Sequence, residues 1–423
     1  MISFEEKLLD DIFNSQFNFE LHNKIGIHTF EIYVRMSKES FALIFRHLQM
    51  YVQNRIEDPY FHNLYMKFFM YVNLYSDHLT WGTTYIDVEP GVSIKLGLHD
   101  DFGHVHMIFN PALIVASRDK DFDSTTYDYT QITPHDFKRW NRFRELCVRI
   151  LQRWHIPNCK MDKIKITRID CCVNIEMGDV DIPVLLDYLR LVAKRNGYDV
   201  YKFYYKNHDR HHLLVHTKKQ KLSIYDKCEE QHVKFGRNYG KNILRIEAQF
   251  EGSRIYDEFI KFADIRVNAI HKGLNIVDIV EEVARWSPLV IYDVIDMVFP
   301  DGDFLTRQDG IKILENSGIR ESTLKRCVEF VDSFSRITTY DGIVNKIDQF
   351  KKNNSDSVYR RTMQIFSKNG IAPYWLKVNS RYIALPGLKS VYTSAIFNTI
   401  PEYSYIYELL DFMKSIYNNS HLL

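Results

Sequence analysis

Apolar and polar positions along the chain follow two rhythms, a period of two and a spacing of three to four, and these predict its elements. A short helical stretch opens the chain. A strand at 25–36 and a helix at 39–53 follow. The pattern then turns extended: an aromatic apolar run at 65–75, then short strands at 83–88, 92–98 and 104–109 set between Gly, Pro and Asp. Leu146, Val148, Ile150 and Leu151 recur at helical spacing, so 137–154 reads as a helix that Pro157 ends. The clearest pattern lies in 163–250. It predicts a strand at 163–175, a helix at 182–196, strands at 213–217 and 221–226 around a Lys218-Lys219-Gln220 turn, a helix at 227–234 and a closing strand at 242–250. Beyond 256 the strand signals fade, and helices are expected at 257–262, 276–286, 289–298, 307–317, 321–334, 340–351 and 358–367.

The fold class expected is therefore α+β: an antiparallel sheet with helices on one face, followed by a mostly helical C-terminal domain. A chain of 423 residues is long for one core. Three segments are expected: 1–80, an N-terminal α/β segment; 81–256, which holds the chemistry; and 257–423, the helical part. The pair 307–317 and 321–334, joined at Gly318, reads either as a helix-turn-helix unit or as part of a plain helical bundle. No internal repeat stands out.

Composition is that of a globular protein, 45% hydrophobic and 26% charged. The net charge of +1 excludes a uniformly basic coat, yet Lys194 to Arg245 holds 13 Lys/Arg against 5 Asp/Glu, a local +8, with five histidines. Such a zone suits a phosphate backbone, although other segments could also supply its counter-charges. The six cysteines show no Cys-x-x-Cys spacing, which leaves a structural zinc site little support. There is no apolar run of membrane-spanning length and no signal-peptide pattern at the start, so no membrane partner and a reducing cytoplasm are expected.

Strand geometry sorts the candidate chemistry. On 164–175 one face presents Arg168, Asp170 and Asn174. On 221–227 one face presents Lys221, Ser223, Tyr225 and Lys227. On 243–250 one face presents Arg245, Glu247 and Gln249. If the three strands are neighbours, two carboxylates, a phenol and several cations share a face. Two carboxylates can hold Mg²⁺ or Mn²⁺, and a tyrosine can attack phosphorus and carry the product covalently. A phenol of ordinary pKa near 10 needs help to ionise, and Lys227 is placed to give it. Salt bridges on a half-solvated sheet are the plain alternative. His104-Val105-His106 puts two imidazoles on one strand face and makes a second pair of candidate ligands.

The stretches Ile166-Thr167-Arg168-Ile169-Asp170, Ser223-Ile224-Tyr225-Asp226-Lys227 and Leu244-Arg245-Ile246-Glu247 resemble the replication initiators of filamentous phages and of rolling-circle plasmids and integrative elements. The resemblance covers roughly residues 90–375. It implies a fold related to the His-hydrophobe-His endonucleases, so that 81–256 would be a DNA-nicking domain. The implied reaction is origin-specific nicking and strand transfer through a tyrosine–DNA intermediate, with Mg²⁺ or Mn²⁺. In that reading Tyr225 is the nucleophile, with Tyr204, Tyr205 and Tyr239 as nearby rivals. Lys227 and Glu247 assist catalysis, and Asp170 and Glu247 are metal ligands or acid/base groups; His104 and His106 are candidate metal ligands by their spacing and not through the resemblance. Arg168, Lys218, Lys219, Lys221 and Arg245 face DNA phosphates. The partners implied are a single-stranded origin segment with its flanking duplex, a host helicase and a single-strand-binding protein. Two alternatives stay open: a non-catalytic origin- or operator-binding protein of the same fold, and a metal-dependent hydrolase that forms no adduct.

Overall fold

A computed structural model describes residues 17, 19–76, 78–122, 131–133, 136–156, 164–196, 198–201, 209–216, 220–238, 240–252, 255, 275–300, 302–334, 340–377 and 380–399. In chain order its main elements begin with β1 (Glu20–Met36), α1 (Lys38–Gln53), α2 (Pro59–Phe68), β2 (Trp81–Gly82), β3 (Ile86–Glu89), β4 (Val92–Leu98), β5 (Gly103–Phe109), α3 (Pro111–Ala116) and α4 (Phe137–Arg153). Next come β6 (Ile164–Glu176), α5 (Ile182–Arg195), β7 (Asp199–Tyr201), β8 (His212–His216), β9 (Gln220–Asp226), α6 (Lys227–Phe235) and β10 (Ile243–Glu251). The last are α7 (Ile276–Val298), β11 (Phe304–Leu305), α8 (Arg307–Asn316), α9 (Glu321–Asp332), α10 (Tyr340–Asn354), α11 (Asp356–Lys368), β12 (Ala384–Leu385) and α12 (Leu388–Thr399).

The chain is α+β with antiparallel strand pairing, and it divides into two compact units. An amino-side unit holds Lys24–Cys172 and Gln249–Pro288. A carboxy-side unit holds Met1–Asn23, Val173–Ala248 and Leu289–Leu423. The units interleave along the chain, unlike the consecutive segments 1–80, 81–256 and 257–423 read from the sequence. The reason is that β6 and β10 each change unit partway along the strand.

In the amino-side unit the strand order is β2-β4-β5-β1-β6, with β3 on β4. One sheet face is apolar, from Phe30, Ile32 and Val34 on β1 to Val105, Met107 and Phe109 on β5. Phe41, Ile44, Phe45 and Leu48 of α1 are buried with it, and Phe143 of α4 meets Phe30 edge-on at 6.0 Å. The other face stays half-exposed and carries Tyr33, His104 and His106. In the carboxy-side unit the order is β6-β10-β9-β8-β7. Leu185, Leu186 and Leu189 of α5 are buried with Leu213, Val215, Leu222 and Ile224 of β8 and β9. Each unit thus leaves one polar sheet face uncovered by these helices.

The structure departs from the sequence reading at two places with physical causes. The aromatic run expected to be extended begins inside α2, because the Asp58 side chain caps Tyr60 N at 2.8 Å and Pro59 occupies the first helical position. The two helices expected at 276–286 and 289–298 are one, α7, despite Pro288. Proline leaves the carbonyl four residues back without its helical donor, and the Ser287 hydroxyl donates to that oxygen, Ala284 O, at 2.7 Å. The helix expected at 257–262 lies outside the described residues.

Close backbone approach fixes one edge of the amino-side sheet. Ile27 exchanges backbone hydrogen bonds with Ile132 at 3.0 Å, and a Cβ on Gly26 would sit 2.1 Å from Ile132 O. Gly26→Ala should therefore destabilise the fold by about 1–3 kcal/mol through overpacking. Urea denaturation compared with the native chain measures this.

Candidate functional site

The polar face of the carboxy-side sheet is built by strand alternation. On β9 Lys221, Ser223 and Tyr225 are half-exposed while Gln220, Leu222 and Ile224 are buried. His212 of β8 lies opposite Tyr225 in register, its Nε2 is 2.6 Å from Ser223 Oγ, and its ring centroid is 5.2 Å from that of Tyr225. On β10 the fully buried Arg245 and the half-buried Glu247 share one parity. The bonds Met177 N to Asn242 O and Gly252 N to Thr167 O keep step, 167 to 177 on β6 and 242 to 252 on β10. The buried Asn174 is therefore opposite Arg245.

Glu247 is the junction of this group. Its Oε1 accepts the Tyr225 phenol at 2.8 Å and lies 2.8 Å from Arg245 Nε. Burial pushes the Tyr225 pKa well up; the Arg245 charge opposes this, and the Glu247 carboxylate adds to it. The phenol is therefore protonated and hydrogen-bonded to a carboxylate able to take its proton. Lys227 was expected on the strand face with Tyr225, but β9 ends at Asp226 and Lys227 is the first residue of α6. Asp226 caps that helix, its Oδ1 accepting from Cys228 N and Glu229 N at 3.0 Å. Lys227 then turns inward, buried, with Nζ 2.7 Å from Glu230 Oε2, and burial together with the Arg245 charge lowers its pKa. Burial would raise Glu230, but Lys227 and Lys234 outweigh it and hold the carboxyl at about 2. Burial also takes His212 down to about 4, so its ring is neutral at pH 7.

The amino-side unit holds a second polar group. Asp170 is buried and ion-paired with Arg168 at 2.8 Å, and it accepts the Thr29 hydroxyl. Glu31 Oε1 lies 2.6 Å from His106 Nδ1 and accepts from Thr167 Oγ1 at 3.2 Å. Burial pushes Glu31 up, but the His106 and Tyr85 hydrogen bonds and the Arg168 charge bring it below its ordinary value. A carboxylate on Nδ1 fixes the His106 ring and leaves Nε2 as its second nitrogen. His104 stacks on His99 with ring centroids 5.1 Å apart. It sits so close over Gly97 that a Cβ there would be 2.3 Å from the imidazole. Burial and the neighbouring His106 lower His104 to about 4.

Tyr225, Lys227, Arg245 and Glu247 are thus brought together, with Lys221 on the same face of β9. Asp170, Arg168, His104 and His106 belong to the other unit. Lys218, Lys219, Tyr204, Tyr205 and Tyr239 lie outside the described residues. Arg245 was expected to face phosphate; it is fully buried and its charge is directed at Glu247. Among the described residues no group of three His, Cys, Asp or Glu side chains is placed to hold a metal ion. In the carboxy-side group the carboxylates are already engaged by Arg245, Lys227 and Lys234, a donor set that does not fit a divalent cation. Sequence reasoning gave Glu230 no role, although the i,i+3 spacing from Lys227 points to the pair. It also missed Glu31, which shares a face with Tyr33 and Arg35 on β1, and His212, just outside the strand as read. No protein-family model matches the chain, and no curated protein matches it significantly.

Two depressed histidines give a pH dependence. Between the ordinary value of 6.5 and about 4 the unfolded chain binds protons that folded His104 and His212 refuse. Stability should therefore fall as pH drops through that window and be flat in this respect above it. Thermal unfolding from about pH 7 to 4 should show the decline, with a shallower slope in His212→Gln.

Proposed function

We propose that the chain is a rolling-circle replication initiator that nicks single-stranded origin DNA and joins it to Tyr225. The observation that carries this reading is the Tyr225 phenol donating to Glu247 beside the Arg245 guanidinium. The motif resemblance and the basic stretch from Lys194 to Arg245 add to it. Tyr225 Oη attacks phosphorus while Glu247 takes the phenolic proton. The phosphorus–O3′ bond breaks, the 3′-oxygen leaves as a hydroxyl with the proton Glu247 held, and a 5′-phosphotyrosine remains. Arg245, 2.8 Å from Glu247 Oε1, orients that carboxylate. Lys221, half-exposed on the same face, is available to a flanking phosphate. The phosphodiester energy is kept in the adduct, so a later 3′-hydroxyl can displace Tyr225 and close a circle. Mg²⁺ or Mn²⁺ belongs to the reading through the resemblance alone, and no step here is assigned to it.

The upward shift of the Tyr225 pKa, which opposes its ionisation, favours a second reading, a DNA-binding protein of this fold that does not nick. A labelled single-stranded origin oligonucleotide, incubated with Mn²⁺, separates the two. Nicking predicts a covalent band with the native chain, none with Tyr225→Phe, and a loss of about 10²–10⁴-fold in its rate of formation with Glu247→Gln. Origin binding without any covalent band from the native chain would sustain the second reading.

A further inference from the structure

Among the described residues the exposed apolar side chains are concentrated in one stretch of the chain. Among the described residues eight of the thirteen exposed large hydrophobics fall between Leu43 and Tyr75, on α1, α2 and the segment after them, at 36–81% exposure. Leu43 and Met50 are seven residues apart and lie on one side of α1. Arg46, between them, donates to Tyr75 Oη at 2.7 Å, which draws Tyr75 onto that side. Gln49 Nε2 bonds Phe69 O at 3.3 Å and brings in the segment carrying Met70 and Tyr71. Just beyond the end of α1, Arg55 lies over the Tyr51 ring, 3.7 Å from its centroid. Tyr, Met and Arg are the residues that interface cores favour, and a soluble surface seldom gathers so many without a partner.

We propose that this surface is the interface of a two-fold symmetric homodimer. Over Leu43, Met50, Met70, Tyr71 and Tyr75 the exposed fractions add up to about three whole large side chains, on the order of 600 Å² at roughly 200 Å² each. That is most of the ~800 Å² per partner of a stable interface. A second copy also fits by sequence. An antiparallel pairing of α1 with itself about its middle puts Leu43 of one copy against Met50 of the other, twice, as isologous contact requires. The proposal is independent of any catalytic activity, since none of these residues belongs to the polar groups described above.

Sedimentation equilibrium of the full chain tests it. The native chain should be dimeric in the micromolar range. Leu43→Lys and Met50→Glu should each weaken the dimer roughly tenfold or more, and Ile383→Glu, on another exposed apolar residue, should not. Circular dichroism and thermal unfolding confirm that each variant is folded. Mixing Leu43→Lys with Met50→Glu should restore dimers, because the heterodimer pairs Lys with Glu at one contact and Met with Leu at the other. A monomeric native chain, variants that dimerise as well as the native chain, or a mixture that stays monomeric would each overturn the proposal.

Discussion

A guanidinium with no access to water must have its charge answered inside the protein, and on the carboxy-side sheet that demand falls on Glu247. Arg245 is fully buried, and its Nε lies 2.8 Å from Glu247 Oε1. The same Oε1 accepts the Tyr225 phenol at 2.8 Å. The strands, the cap on α6 and the inward turn of Lys227 all serve to keep these groups at hydrogen-bond distance. The same geometry suits a phenol that gives up its proton and a phenol that only rigidifies a sheet. Chemistry rather than shape distinguishes the two.

Much of the fold could be read from periodicity. The strands β4, β5, β6, β9 and β10 and the helices α1, α4 and α5 fall within a residue or two of their expected spans, because each has one apolar side that α+β packing must bury. The failures have local causes. The Asp58–Pro59 start of α2 lay upstream of an aromatic run that carried the eye toward a strand. Pro288 read as a helix boundary because the Ser287 hydroxyl that replaces its missing donor is a tertiary detail of one side chain. At the site, parity correctly joined Tyr225 with Ser223 and Arg245 with Glu247. Parity failed at Lys227, where Asp226 ends the strand, so the Y-D-K motif is a strand residue, a helix cap and a buried cation rather than three steps along one face. Periodicity also says nothing of which strands are neighbours, so Asp170 and Glu247 could be placed on equivalent faces but not in their separate units.

β1 and β6 follow one plan that the sequence does not display: each is a long strand followed by a helix, and a later strand returns to pair with it, β5 with β1 and β10 with β6. In each unit a carboxylate has a phenol close by, Glu31 with Tyr85 and Glu247 with Tyr225. An arginine stands nearby in both cases, Arg168 at 4.0 Å from Glu31 and Arg245 at 2.8 Å from Glu247. The two faces differ in what surrounds that trio: His104 and His106 in the amino-side unit, and His212, Lys227 and Glu230 in the other.

The interleaving of the units along the chain has a consequence for how the protein comes off the ribosome. Residues 249–288 belong with 24–172, yet they are translated only after the intervening 173–248. The amino-side unit must therefore wait, lacking the last three residues of β10 and the first part of α7, until a stretch destined for the other unit has emerged. Nascent chains of this protein would expose an unfinished sheet edge during that interval, and a holding chaperone would find its client there rather than in the completed molecule.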